Sequence, residues 1–160
     1  TDLTSVILPT SCKSIGLNAF NGCTSLDTIN LSGVTYLRSG AFDGCSSLNI
    51  DINMPNLRGS RAGHTELEYS VFFGSGITRI LNIGSVTTLG LYSFAQRCPN
   101  LTEAWIPKTV VDIGRLTFYE CPSLSIVVCL AETPPTTNAP SAAHQPFDNN
   151  APGRKIYVPW

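Results

Sequence analysis

Leu3-Thr4-Ser5-Val6-Ile7-Leu8-Pro9 opens a phrase that runs on through Ser14-Ile15-Gly16 and Ala19-Phe20-Asn21-Gly22-Cys23 to Leu26, and the chain then says it again. The phenylalanines Phe20, Phe42, Phe72, Phe94 and Phe118 lie 22, 30, 22 and 24 residues apart. The leading apolar residues Leu3, Leu26, Leu48, Ile77, Leu101 and Leu124 follow at 23, 22, 29, 24 and 23. A period in the low twenties is that of a solenoid, whose units are too small to bury an apolar face alone and must stack to make a shared core.

Each unit carries an alternating apolar pair: Val6 and Leu8, Ile29 and Leu31, Ile52 and Met54, Leu81 and Ile83, Ala104 and Ile106, Val127 and Cys129. Alternation over so few residues predicts a short strand with these side chains inward. Ile15-Gly16, Leu89-Gly90 and Ile113-Gly114 supply corners, where a residue without Cβ turns the chain at low cost. The Ala-Phe phrases are long enough for one turn of helix or 3₁₀ and too short for a full helix. Unit three departs from the pattern, with Ser75 in place of cysteine and an insertion over residues 58–66 that is expected to protrude as a polar loop. The reading divides the chain into repeats over 1–130 and an atypical capping segment over 131–160, which holds Phe147 and a last strand candidate at Ile156-Tyr157-Val158.

The Leu3–Pro9 strand phrase, with Ser14-Ile15-Gly16, Ala19-Phe20 and Gly22-Cys23-Thr24-Ser25-Leu26, resembles the BspA-like type of leucine-rich repeat over about residues 1 to 130. The ending, Glu132-Thr133-Pro134-Pro135 and then Lys155-Ile156-Tyr157-Val158-Pro159, is similar to the closing segment of such proteins in Bacteroides-type bacteria. The resemblance implies an α/β-type leucine-rich-repeat solenoid. That fold is a right-handed superhelix with short parallel strands on its concave face and short helical or 3₁₀ turns and loops on its convex side. It also implies cell-surface or secreted placement and adhesion to host proteins or other microbes; the partner expected for this chain is a host extracellular protein or glycan, or another microbial surface protein. The family's adhesive activity has no fixed residue motif to carry over.

Candidate contact residues come from the strand alternation. If the apolar pairs face inward, one outward column runs Ser5, Thr28, Asp51, Ile80, Glu103 and Ile126, and a second runs Ile7, Asn30, Asn53, Asn82, Trp105 and Val128. Asn30, Asp51, Asn53, Asn82, Glu103 and Trp105 are thus the candidate ligand-binding set, amide and carboxylate groups beside a flat ring, which suits glycans or extended peptides. The alternative is purely structural: an asparagine ladder that stiffens the sheet, and a Trp105 packed on Val128 or on the insertion.

Composition narrows the functional classes. With 160 residues, 42% apolar and 13% charged, the chain has enough apolar surface for a core and is not a disordered tail. A net charge of −1 gives no footprint for nucleic acid. The longest apolar run, Ile126 to Ala131, is far shorter than a bilayer-spanning helix, and no basic-then-apolar leader precedes the first repeat. Starting directly on a repeat, the chain would present an edge strand able to pair with another copy.

Cys23, Cys45, Cys98 and Cys121 recur in phase with the repeat, while Cys12 and Cys129 stand off it. Neighbouring coils bring such positions to about 5 Å, within the disulfide window for Cα atoms, but parallel projection keeps the Cβ atoms too far apart. Buried thiols acting as small hydrophobes are the favoured reading. No short Cys/His pair marks a zinc site, so no metal or cofactor is expected. His64 and His144 stand in irregular segments, neither at helical spacing from another ligand type, and Gly74-Ser75-Gly76 lacks a phosphate loop's lysine. Asp51 and Glu103 sit two coils apart, farther than paired glycosidase acids. The ranked expectations are therefore a non-catalytic interaction module, a spacer that holds another domain off the cell surface, and, last, a glycan-active enzyme.

Overall fold

A computed structural model describes residues 2–90, 94–137 and 145–158. The chain coils into two stacks of very short strands. The first stack contains β1 (Ser5–Val6), β3 (Thr28–Ile29), β5 (Asp51–Asn53), β7 (Arg79–Asn82), β9 (Glu103–Ile106), β11 (Ile126–Cys129) and β13 (Lys155–Tyr157). The second contains β2 (Ser14–Ile15), β4 (Tyr36–Leu37), β6 (Glu66–Leu67), β8 (Thr88–Leu89), β10 (Asp112–Ile113) and β12 (Thr136–Thr137). Every strand pair is parallel, because each coil brings the chain past the same place in the same direction. Pairing runs unbroken from β5 through β7, β9 and β11 to β13, and from β6 through β8 and β10 to β12. Between β3 and β5 the Asn49 N–H to Asp27 C=O bond carries the connection.

The alternating residues fill one core. Ile29, Leu31, Ile52, Met54, Ala104, Ile106, Val127 and Cys129 are all buried. Unit four differs from expectation: Ile80, not Leu81, points inward with Ile83. The pairing steps from Ile52–Ile80 to Asn53–Asn82, leaving Leu81 as the extra residue of a β-bulge. Arg79, not Ile80, therefore stands in the outward column between Asp51 and Glu103. The spacing in most other coils points the same way. Leu3 to Val6, Leu26 to Ile29, Leu101 to Ala104 and Leu124 to Val127 each span three residues, and the same step from Ile77 lands on Ile80.

On the side opposite the strands the expected helical or 3₁₀ turns do not form, and no helix occurs among the described residues. The phenylalanine phrase is a series of turns whose amides alternate between their own turn and the next coil. Phe20 N–H donates to Ala41 C=O at 2.9 Å and Gly22 N–H to Asp43 C=O at 2.8 Å, while Asn21 and Cys23 donate to Asn18 and Phe20. A helix would direct every amide back along its own segment, so the inter-coil bonds exclude it. The geometry requires a left-handed residue two places after the phenylalanine position, with φ of 68° at Gly22, 71° at Gly44, 61° at Gly74, 57° at Arg97, 55° at Glu120 and 57° at Asn149. A helix-breaking conformation thus recurs in every coil.

The phenylalanines stack as a continuous column from Phe20 to Phe118, and Phe147 extends it on Phe118 at 5.3 Å and 8°. Phe94 is the exception. Phe72 N–H donates to Phe94 C=O and Ala95 N–H to Thr117 C=O, so Ala95 holds the backbone position that Phe42, Phe72 and Phe118 hold elsewhere. Phe94 reaches the column from one residue earlier, and its ring meets both neighbours edge-on, at 73° and 69°.

Of the insertion, the tip Arg61, Ala62 and Gly63 is exposed, as are Arg58 and Thr65, whereas Gly59 and Ser60 are buried. Its base is built into the second stack. Gly59 bridges to Tyr36, Leu37 N–H donates to Gly59 C=O, and Ser60 N–H donates to Glu66 C=O. A Cβ on Gly59 would lie 1.8 Å from the His64 carbonyl oxygen, so no other residue fits there. The described part of the closing segment follows the coil on three sides: β12 pairs with β10, Phe147 stacks on Phe118, and β13 pairs with β11.

Candidate functional site

The outward side of the first stack gathers the residues that sequence reading singled out, though not all in one place. Asp51, Arg79 and Glu103 follow one another across β5, β7 and β9, and Ile126 and Lys155 continue the row on β11 and β13. Asp51 accepts from Arg79 Nε at 3.0 Å and from Thr78 Oγ1 at 2.8 Å, and a second guanidinium nitrogen reaches its other oxygen. The Arg79 bonds, joined by that of Thr78, hold the Asp51 carboxyl below the usual aspartate range, and Asp51 in turn raises the Arg79 guanidinium. Arg79 thus separates the two carboxylates, Asp51 and Glu103.

Trp105, 36% exposed, donates its indole N–H to Glu103 Oε1, which fixes the plane of the ring. Asn53 lies opposite Asn82, and both are exposed. The side-chain oxygens of Asn30 and Asn82 accept from the Ser32 and Gly84 amides at 3.0 and 2.9 Å, closing their own turns as Asx motifs. Those two oxygens are occupied by their own backbone. Asn30 follows β3, on the far side of the break from β5.

Sequence reading missed two members of this face. Arg79 was hidden by the bulge, and Tyr157 was assigned only to a strand candidate. The register pairs Val128 with both Trp105 and Tyr157, which puts all three in one column.

The cysteines are elsewhere, and most of them are buried. All six are unpaired, and Cys45, Cys98 and Cys121 are fully buried. Each donates to a carbonyl of the preceding coil: Cys45 to Phe20, Cys98 to Phe72 and Cys121 to Ala95. The Cys121 bond reaches Ala95 and not Phe94, in keeping with the shifted phrase of that coil. Ser75 donates to Phe72 C=O at 2.9 Å, so its hydroxyl is satisfied in a column otherwise built of thiols. Burial, joined by the nearby Cys23, pushes the Cys45 thiol up to about 11, and burial raises Cys98 as well. Neither has the electropositive, open surroundings of a reactive thiol.

His64 bonds Glu66 Oε1 at 2.7 Å, and His144 lies outside the described residues. Among the described residues no group of three or more His, Cys, Asp or Glu side chains converges as a metal site would require. No helix among them is long and apolar enough to cross a membrane. A cavity of about 440 Å³ lined by Ser39, Glu66, Leu67, Glu68, Tyr69 and Gly90 opens beside β6, on the other stack from the row described above.

Comparison with known proteins agrees with the coil. A crystal structure of a leucine-rich repeat protein from Bacteroides ovatus superposes with a TM-score of 0.57 at 20% identity, covering 79% of this chain and 39% of that one. The chain therefore spans about two fifths of that protein's length, and the likeness is one of fold. A search of curated proteins finds no match. The family model for the BspA type leucine rich repeat region matches residues 1–125 in six copies. The chain belongs to the BspA-type leucine-rich-repeat family, a protein-interaction repeat fold.

Proposed function

We propose that this chain is a non-catalytic interaction module of a cell-surface or secreted protein, adhering to an extracellular protein or glycan through the outward face of β5, β7, β9 and β11. The observation that carries the reading is the row Asp51–Arg79–Glu103–Trp105: polar groups held by one another, with an indole fixed in place and open to solvent. A face whose side chains are already oriented loses less entropy on binding. Its two carboxylates are separated by a guanidinium, which favours recognition over acid–base chemistry.

The test is a binding panel of the purified chain against immobilised extracellular-matrix proteins and a glycan array, run in parallel with Trp105→Ala. Binding that the substitution abolishes supports the reading. Binding of equal strength in the variant moves the site off this face, and no binding at all favours a spacer role for the solenoid.

A further inference from the structure

The C-terminal half of the same face has a character of its own. Val128 pairs with Trp105 on one side and Tyr157 on the other, so the three side chains project the same way from β9, β11 and β13. Trp105 is 36% exposed and Tyr157 49%, while Val128 between them is half-buried. Two strand spacings separate the aromatic positions, about 10 Å. Beside this column runs Arg79, Glu103, Ile126 and Lys155 in the same register.

We propose that this strip binds a linear neutral glycan laid across the strands, with sugar rings stacked on Trp105 and Tyr157 and hydroxyls bonded by Glu103, Arg79 and Lys155. The inference rests on the reading of this face as the interaction surface and names the ligand class. An aromatic plane accepts the C–H face of a pyranose, and two planes about 10 Å apart, two strand spacings, match rings one and three of an extended chain. Vicinal hydroxyls each donate and accept, which suits a carboxylate and a guanidinium side by side. Arg79 gives two of its nitrogens to Asp51, leaving further N–H donors of the fork for a ligand. Asp51 and Glu103 offset Arg79 and Lys155, so the strip has no net charge to attract a polyanion or a polycation. β9 and β11 are paired on both edges, which denies a peptide the backbone edge that strand addition needs.

The chain has two tryptophans, Trp105 and Trp160, so a Trp160→Phe background leaves Trp105 as the sole indole reporter. Fluorescence and calorimetric titrations would use cellotetraose, xylotetraose, mannotetraose and laminaritetraose, the matching disaccharides, and a proline-rich decapeptide as the competing ligand class. At least one tetrasaccharide should saturate the signal, with its disaccharide about tenfold weaker. Calorimetry should show about a tenfold loss for Trp105→Ala and for Tyr157→Ala, and no change for Tyr69→Ala beside β6; a tenfold loss corresponds to about 1.4 kcal/mol. Melting curves confirm that each variant folds. The inference is overturned if no tetrasaccharide saturates up to tens of millimolar, if the peptide alone binds, or if binding ignores both aromatics. Failure here alongside Trp105-dependent capture of a matrix protein leaves the interaction reading standing, and failure of both removes it.

Discussion

Two columns run the length of this solenoid and obey opposite rules. Inside, one phenylalanine per coil from Phe20 to Phe147 stacks on the next, with centroids 5.2 to 6.4 Å apart. Outside, Ser5, Thr28, Asp51, Arg79, Glu103, Ile126 and Lys155 occupy equivalent positions in successive coils and no two neighbours are alike. The inner column is set by packing, since a missing ring leaves a void that close-packed neighbours cannot fill. The outer column is free of that demand, and the chain spends its variety there.

The sharpest way to break the contrast is to damage the inner column. Phe72→Ala, at a fully buried position between Phe42 and Phe94, should cost about 3–5 kcal/mol, read as a lowered denaturant midpoint. Gly59→Ala tests the base of the insertion. Its Cβ would collide with the His64 carbonyl, so a loss of about 1–3 kcal/mol is expected, with the tip at Arg61–Gly63 more open to proteolysis. A loss under about 0.5 kcal/mol would mean that the insertion is not anchored as described.

The outer column should respond weakly. Asp51 titrates below its ordinary value of about 3.9, so its pairing with Arg79 stabilises the fold above that pH and is lost as pH falls through the lower, folded value. The stability gap between wild type and Asp51→Asn should therefore be about 0–1 kcal/mol at neutral pH and vanish in acid, a range set by the exposure of the pair. Melting temperatures of both proteins between neutral and strongly acidic pH measure it. A gap that widened on acidification would contradict the assignment. The smallest change is Ser75→Cys, which restores a thiol beside Cys98, 3.6 Å from the present hydroxyl, and should shift stability by less than about 0.5 kcal/mol.

The inner column was legible in the sequence because stacking forces recurrence, and recurrence is what a sequence displays. Its details were less so. Phe94-Ala95 reads like Ala-Phe reversed, and only the inter-coil bonds of Phe72 and Ala95 show that the alanine took the phenylalanine's backbone place. The absence of helix had a visible cause in Gly22, Gly44 and Gly74, and Asn149 is a residue type that tolerates the left-handed region, but Arg97 and Glu120 adopt the same conformation without any compositional mark. On the outer face Asp51, Asn53, Asn82, Glu103 and Trp105 were found by alternation alone. Arg79 was lost because a single bulged residue, Leu81, reverses the side to which its neighbours point.

The claim that packing lives inside and recognition outside is tested most directly by measuring stability and binding together in one substitution. Trp105→Ala should melt within about 2 °C of wild type, as a surface change does, yet lose about tenfold in affinity for whichever matrix protein or glycan the wild-type chain captures. A melting point lowered as far as that of Phe72→Ala, or an affinity left unchanged, would contradict it.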